Sequence, residues 1–297
     1  GNSKTKMLSS TESSSEIVDF STLLPPHLER TIQQWLEDDI PSFDVGGLVV
    51  GSKIQSAQLF LKSTPCIFAG KPFFERTFAL LGCTVQWEEN LLEGKQLLSS
   101  KEDESSKMLL ATVTGPVHAL LRGERTALNI LSRCSGVATA AAQAVQVARD
   151  LGWKGHVSGT RKTTPGFRVV EKYGLLVGGA ATHRLDLSQM VMLKDNHIWS
   201  TGSISNAVSL ARKVAGFSQK IEVECQTLEE AVEAAVAGAD IVMLDNFQPD
   251  LLKTAAKEIK GRFPHILIEA SGGITVETMK DYLSEDVDIV SQGNLTQ

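Results

Sequence analysis

The second half of the chain repeats one pattern six times: a short apolar run ending on a polar residue, a loop, then an amphipathic stretch. The apolar runs are GHVSGTRK, MVMLKDN, KIEVECQ, ADIVMLDN, HILIEASGG and VDIVSQGN. Between them lie GFRVVEKYGLLVGG, SISNAVSLARKVAG, LEEAVEAAVAGA, PDLLKTAAKEIKG and TVETMKDYLS, each with the length and spacing of a helix. Strands separated by crossover helices pair in parallel, whereas antiparallel neighbours need only a tight turn. Six units in series therefore predict an α/β fold whose C-terminal part, residues 122–297, is a β/α barrel.

Every predicted strand ends in a residue capable of chemistry. In order these are Arg161 with Lys162, Lys194, Glu224, Asp245, Ser271, and Gly293 after Ser291. Barrel enzymes build their sites at the C-terminal ends of several strands at once, so the register predicts one shared site. The residues sort by chemistry. Although the chain has 29 Lys+Arg against 35 Asp+Glu, net −6, the segment GTRKTTPGFR holds Arg161, Lys162 and Arg168 and no acid. Lys194, and His183 with Arg184 in GGAATHRLD, join them. Guanidinium forks and ammonium groups gathered in one cleft predict a multiply anionic ligand. Two of these residues have simpler roles open to them: Arg168 can pair with Glu171 on its own helix, and His183 can be a satisfied loop histidine.

In KIEVEC the glutamates Glu222 and Glu224 alternate with apolar residues, so both face one way, towards the barrel interior. A carboxylate there needs a cation or hydroxyl groups as partner. Glu224 and Asp245 thus predict either a metal held together with substrate phosphates or a ribose diol. The EASGGIT turn, followed by a helix capped at Thr275, offers backbone N–H groups to a phosphate, and Gly293 supplies the matching turn on the next strand.

The first half is less regular. Residues 1–16 are Ser-rich, lack a signal-peptide core and are expected to be disordered. Residues 17–121 read as a small α+β layer, with a helix in PPHLERTIQQWLEDD, strands in AQLFLKS, CIFAG, TVQWEE and MLLATVTGP, and a solvated loop at SSKEDESSK. LLRGERTALNILSRCSGVATAAAQAVQVARDLG then reads as one long helix or two in series. The acidic balance argues against nucleic-acid or anionic-membrane partners, and no run is long and apolar enough to cross a bilayer. Four widely spaced cysteines match no metal pattern and are expected to be buried thiols in a reducing, cytoplasmic setting.

The segments GERTALNILSRCSGVAT, GTRKTTPGFRVVEKYGLLVGGAATHR, VMLKDNH, VECQT, LDNF and EASGGI resemble the quinolinate phosphoribosyltransferase family, most closely its eukaryotic members. That resemblance runs from about Trp35 to the end. It implies an N-terminal α/β sandwich joined to an incomplete, open-faced β/α barrel. It also implies transfer of phosphoribose from phosphoribosyl pyrophosphate to quinolinate, with Mg²⁺, giving nicotinate mononucleotide, pyrophosphate and CO₂ for NAD biosynthesis. Carried over by position, Arg161, Lys162, His183, Arg184 and Lys194 would bind the carboxylates and neighbouring phosphates. Glu224 and Asp245 would serve the ribose and the metal, directly or through water, and Ser271, Gly272, Gly273 and Gly293 the 5′-phosphate. Lys162, Lys194, Glu224 and Asp245 are the residues assigned to catalysis. Arg125 would reach into a neighbouring subunit's site. A homodimer is then the smallest working unit, with a hexamer (a trimer of dimers) as the larger assembly open to it, in the cytoplasm and also the nucleus.

Two departures stand against the family pattern. Its members continue past LTQ with a segment packing back towards the N-terminal domain, and many carry threonines where this chain has Gly46 and Gly47. Three other readings fit part of the pattern: a sister enzyme taking nicotinate, a sensor of phosphoribosyl compounds without turnover, and a Schiff-base aldolase using Lys194.

Overall fold

The computed structural model describes residues 18–62, 64–98 and 107–297. The expected disorder of residues 1–16 and all of the SSKEDESSK loop except Lys107 lie outside the described residues. Helix α1 (Leu28–Asp39) buries Leu28, Ile32 and Leu36, four residues apart on one face, and each such burial contributes roughly 1.5–3 kcal/mol. The short α2 (Val45–Val50) is capped by Asp44, which accepts from the Gly47 N–H and pairs with Arg122. Then follow β1 (Ile54–Leu61), β2 (Cys66–Ile67), α3 (Lys71–Leu80), β3 (Thr84–Trp87), β4 (Gln96–Leu97) and β5 (Met108–Pro116). β5 lies between β1 and β3 in an antiparallel sheet, and β2 pairs with β4 in a two-stranded ribbon that sequence reading had not paired.

Helix α4 (Val117–Asp150) is one unbroken element of 34 residues, about 50 Å long at 1.5 Å per residue. The boundary expected at 121/122 falls inside it. Its N-terminal half packs Leu120, Ala127 and Leu131 with the first unit's Phe68, Phe74 and Phe78, while its C-terminal half sends Ala141, Ala144 and Ala148 into the second unit's core. A third cluster joins the two, with Leu28, Ile32 and Phe73 against Ile130, Cys134, Val170 and Tyr173.

The second unit is a parallel sheet of β6 (His156–Ser158), β7 (Val191–Leu193), β8 (Ile221–Cys225), β9 (Ile241–Asp245), β10 (Leu267–Ser271) and β11 (Ile289–Ser291). All six strands arise where the sequence pattern sets them. Their spatial order is β6-β11-β10-β9-β8-β7. β6 and β7, consecutive in the chain, therefore end up at opposite edges, and the barrel is left open between them. The intervening helices are α5 (Arg168–Val177), α6 (Asp195–Thr201), α7 (Ile204–Ala215), α8 (Leu228–Ala237) and α9 (Pro249–Arg262). Helix α5 lies close against α4: a Cβ on Gly174 would stand 2.8 Å from the Cys134 carbonyl, and one on Gly178 2.4 Å from that of Ala138.

Two expectations need correction. The helix expected over TVETMKDYLS is only a 3-10 turn, Met279–Asp281. Thr275 and Thr278 bond each other's N–H and hydroxyl groups in the manner of a capping box, and the Met279 N–H bonds the Thr275 carbonyl, but the turn does not continue past Asp281. Conversely, α6 follows Lys194 directly where sequence reading placed no helix. Cys83, Cys134 and Cys225 are buried free thiols as expected, but Cys66 is only half-buried. Among the described residues, no helix is long and apolar enough to cross a membrane.

Candidate active site at the strand ends

Strand register brings the polar strand ends level. Ser271 of β10 pairs with Asp245 of β9, Glu224 of β8 with Met243, and Ser291 of β11 with Ser158 of β6. Their side chains and the loops beyond them line a cavity of about 540 Å³. Every residue carried over from the family pattern except Arg125 lines it, together with Met192, Met243, Asn246 and Glu269. Arg125 projects instead from the exposed side of α4, into a larger cavity of about 940 Å³ lined mainly by apolar residues of β1 and α4 such as Leu59, Phe60, Leu121 and Leu128.

One wall is cationic. Arg161 and Lys162 follow β6, and the buried Nε of Arg161 has no partner among the described residues. An orphaned buried donor calls for an acceptor from outside. Arg184 is buried, and burial together with the Arg161 charge lowers its proton affinity. Arg168, at the start of α5, bonds Thr163 Oγ1 at 3.1 Å rather than Glu171 and supports the loop without lining the cavity.

His183 differs from the expected anion-facing cation. It sits at φ 58°, its Nδ1 accepts the Arg184 N–H at 2.9 Å, and its Nε2 faces Glu269 at 3.1 Å and Glu222 at 3.5 Å. Both ring nitrogens are thus engaged inside the protein. Burial opposes a charge on His183, but the two facing carboxylates, Glu222 at 3.5 Å and the hydrogen-bonded Glu269, outweigh it and raise its pKa to about 10. Glu222 is pushed up to about 7 by burial and by the neighbouring Glu269 charge. The Arg184 N–H at Nδ1 and the two carboxylates at Nε2 hold the ring in one orientation. His183, Glu222 and Glu269 come within 4.8 Å of one another at their ligating atoms; His183 and Glu269 line the cavity, and Glu222 is fully buried.

The opposite wall is acidic. Lys194 Nζ and Glu224 Oε2 meet at 2.5 Å, so the two charge sets that sequence reading kept apart touch at this pair. Burial first, and then the Glu224 charge, raise the pKa of Asp245. Two carboxylates at adjacent strand ends, one of them a raised Asp245 beside the Glu224 charge, suit a divalent cation. The floor is the Ser271-Gly272-Gly273 turn, with φ +104° at Gly272 and +63° at Gly273. A Cβ at Gly272 would lie 2.6 Å from the Asn246 nitrogen, and one at Gly273 would meet open space. Gly293 lets Lys162 cross it, since a Cβ there would come within 2.9 Å of Lys162 Cδ. With no helix behind it, this cradle rests on the turn's own N–H groups rather than on a helix N-terminus.

The family model described as quinolinate phosphoribosyl transferase, C-terminal domain, matches residues 137–297, and the corresponding N-terminal domain matches residues 44–135. A nicotinate-nucleotide pyrophosphorylase [carboxylating] of Homo sapiens is 51% identical over 276 residues, covering 93% of this chain and 90% of that protein. One from Dictyostelium discoideum is 50% identical and covers 94% and 95% of the two chains. Among solved structures, NadC from Streptococcus pyogenes superposes with a TM-score of 0.79 at 37% identity, covering 92% of this chain and 93% of that one.

Proposed function

The chain belongs to the quinolinate phosphoribosyl transferase family, and on that premise we propose that it is a carboxylating nicotinate-nucleotide pyrophosphorylase. It joins quinolinate to phosphoribosyl pyrophosphate and releases nicotinate mononucleotide, pyrophosphate and CO₂. The observation that carries this reading is the single cavity with a cationic wall, an acidic wall and a glycine-turn floor. A dicarboxylate, a ribose with its pyrophosphate and a 5′-phosphate need those three surfaces in that combination.

Arg161 and Arg184 hold the two quinolinate carboxylates, with Lys162 and Lys194 as further point charges and His183 behind Arg184. The unpartnered Arg161 Nε supports this role. Ser271, Gly272, Gly273 and Gly293 receive the 5′-phosphate. Glu224 and Asp245 would hold Mg²⁺, which when bound neutralises the pyrophosphate leaving group; the raised Asp245 carboxyl beside Glu224 fits that charge.

Held this way, the pyridine nitrogen faces C1 of the ribose. It forms the new C–N bond as the C1–O bond to pyrophosphate breaks and its electron pair leaves with the pyrophosphate. Positioning and fixed charge do this work, and the protein supplies no covalent nucleophile. The alkylated ring nitrogen is then positive, so the adjacent carboxylate can depart as CO₂ while its bonding pair stays on the ring carbon, which takes up a proton. A tight clamp on that carboxylate would oppose its loss, so the departing group is held more loosely than the other.

The surplus of cations favours a dicarboxylate over nicotinate, which needs only one clamp. We further propose a homodimer. The apolar cavity against β1 and α4, carrying the exposed Arg125 at a distance from this chain's own polar cavity, supports a partner packed there that receives Arg125. The test is CO₂ release from quinolinate with phosphoribosyl pyrophosphate and Mg²⁺, omitting each in turn. Release should require all three, and no release from folded protein would overturn the assignment.

A further inference from the structure

Helix α5 carries two consecutive buried charges, Glu171 and Lys172, at 0% and 3% exposure. Neither lines the cavity, yet both are bonded to the loops that do. Lys172 Nζ donates to the Thr160 carbonyl at 2.8 Å and, by a shorter bond, to the Thr182 carbonyl. Thr160 immediately precedes Arg161 and Lys162, and Thr182 immediately precedes His183 and Arg184. One ammonium therefore pins the two peptide units from which the cationic wall springs. These loops come from different parts of the fold, one after β6 and the other after α5. Among the described residues, backbone pairing between them is confined to the stretch just before the cations, with the Gly159 N–H on the Ala181 carbonyl and that of Ala181 on Val157.

Glu171 fastens the far end of the first loop. It accepts from the Thr164 N–H at 2.9 Å and the Thr164 hydroxyl at 2.8 Å, and is itself held by Arg133 Nε at 2.8 Å. Thr296 completes the frame, donating from its hydroxyl to the Lys162 carbonyl and accepting from Arg133 at its own carbonyl. The loop is thus fixed at residues 160, 162 and 164, with the side chains of Arg161 and Lys162 free to face the cavity.

A cation is an unfavourable choice for this position unless the ties need it. Burial, and then the charges of Arg168, Arg161 and Arg184, lower Lys172 from 10.5 to about 8. A neutral apolar side chain would avoid that cost but would leave two carbonyls unbonded. Ammonium-to-carbonyl bonds are charge-assisted, and one nitrogen can serve two acceptors that no backbone N–H reaches together.

Resting on the reading of the cavity as a quinolinate site, we infer that Lys172 is a positioning residue for the dicarboxylate: it fixes the spacing between the Arg161 and Arg184 guanidinium groups. Two anchors whose backbone is fixed in advance gain affinity for a dicarboxylate because their placement is not left to be ordered on binding.

The experiment compares wild type, Lys172→Met and Lys172→Gln, whose amide nitrogen keeps two donors without the charge. Separate KM values for quinolinate and phosphoribosyl pyrophosphate are measured, with quinolinate affinity read in parallel by calorimetry. Lys172→Met should raise the quinolinate KM tenfold or more while the phosphoribosyl pyrophosphate KM moves less than threefold, and Lys172→Gln should fall between. An unchanged quinolinate KM in Lys172→Met overturns the role, as does an equal rise in both KM values, which is what general loosening would give. If Lys172→Met does not fold, Lys172→Gln decides alone: a selective rise of threefold or more supports the role and no rise overturns it. Wild-type protein that neither binds quinolinate nor releases CO₂ would instead overturn the reading on which this role rests.

Discussion

Gly272 and Gly273 are adjacent in one turn, yet substitution should affect them through different physics. Alanine at Gly272 must adopt φ +104°, which costs an L-residue about 1–2 kcal/mol. Its Cβ would also lie 2.4 Å from Asn246 Oδ1, 2.6 Å from Asn246 N and 2.9 Å from its Cα. The last two are backbone atoms and cannot swing aside, and that nitrogen donates to the Ser271 carbonyl. Overlap of this kind adds about 1–3 kcal/mol. Gly272→Ala should therefore lose about 3 kcal/mol, which in a chain of this size lowers Tm by roughly 6–12 °C. Gly273→Ala adopts φ +63° with nothing within 4 Å of its Cβ, so it loses only about 1 kcal/mol and roughly 2–4 °C. Its methyl group would nevertheless occupy the turn assigned to the 5′-phosphate, and the Kd for phosphoribosyl pyrophosphate should rise tenfold or more. Thermal melts and calorimetric titration of both variants separate the two effects. Equal Tm losses would refute the steric reasoning, and wild-type affinity in Gly273→Ala would refute the phosphate cradle.

Two further outcomes follow from the same structure. Arg125→Ala mixed with the inactive Lys194→Ala should recover activity, because a mixed dimer contains one site with both residues intact; no recovery, with subunit exchange verified, would remove Arg125 from the partner's site. Glu93 accepts the Gly70 and Lys71 N–H groups at the start of α3, and burial raises it from 4.5 to about 7. A raised carboxyl takes up its proton more readily in the folded state, so its stabilising contribution is complete below pH 4.5 and lost as pH rises through 7. Tm should accordingly fall less between pH 5 and 7 in Glu93→Gln than in wild type, and an identical slope in both would show that Glu93 is not the titrating group.

The six strands and the residues at their ends were legible in the order of amino acids. Period and alternation are local properties, and a strand's last residue emerges at the same end of any parallel sheet. That is why Arg161, Lys194, Glu224, Asp245, Ser271 and Gly293 could be assigned to one site from the order of residues alone. The family resemblance, carried by long motifs, added the reaction. Local pattern misled in TVETMKDYLS, where the expected helix is only a 3-10 turn despite reciprocal capping bonds between Thr275 and Thr278.

Tertiary structure decided which charges meet. Glu171 and Lys172 read in sequence as part of an ordinary amphipathic helix, and only the packing of α5 against α4 buries them beneath the cationic loops. His183 could have been an anion ligand or a satisfied histidine; Glu222 and Glu269, 39 and 86 residues away in the chain, engage one face of its ring. The contact between Lys194 and Glu224 likewise depends on β7 pairing with β8. Spacing along a strand fixes which way a side chain points, but the partner it finds is set by how strands and helices from distant parts of the chain come together.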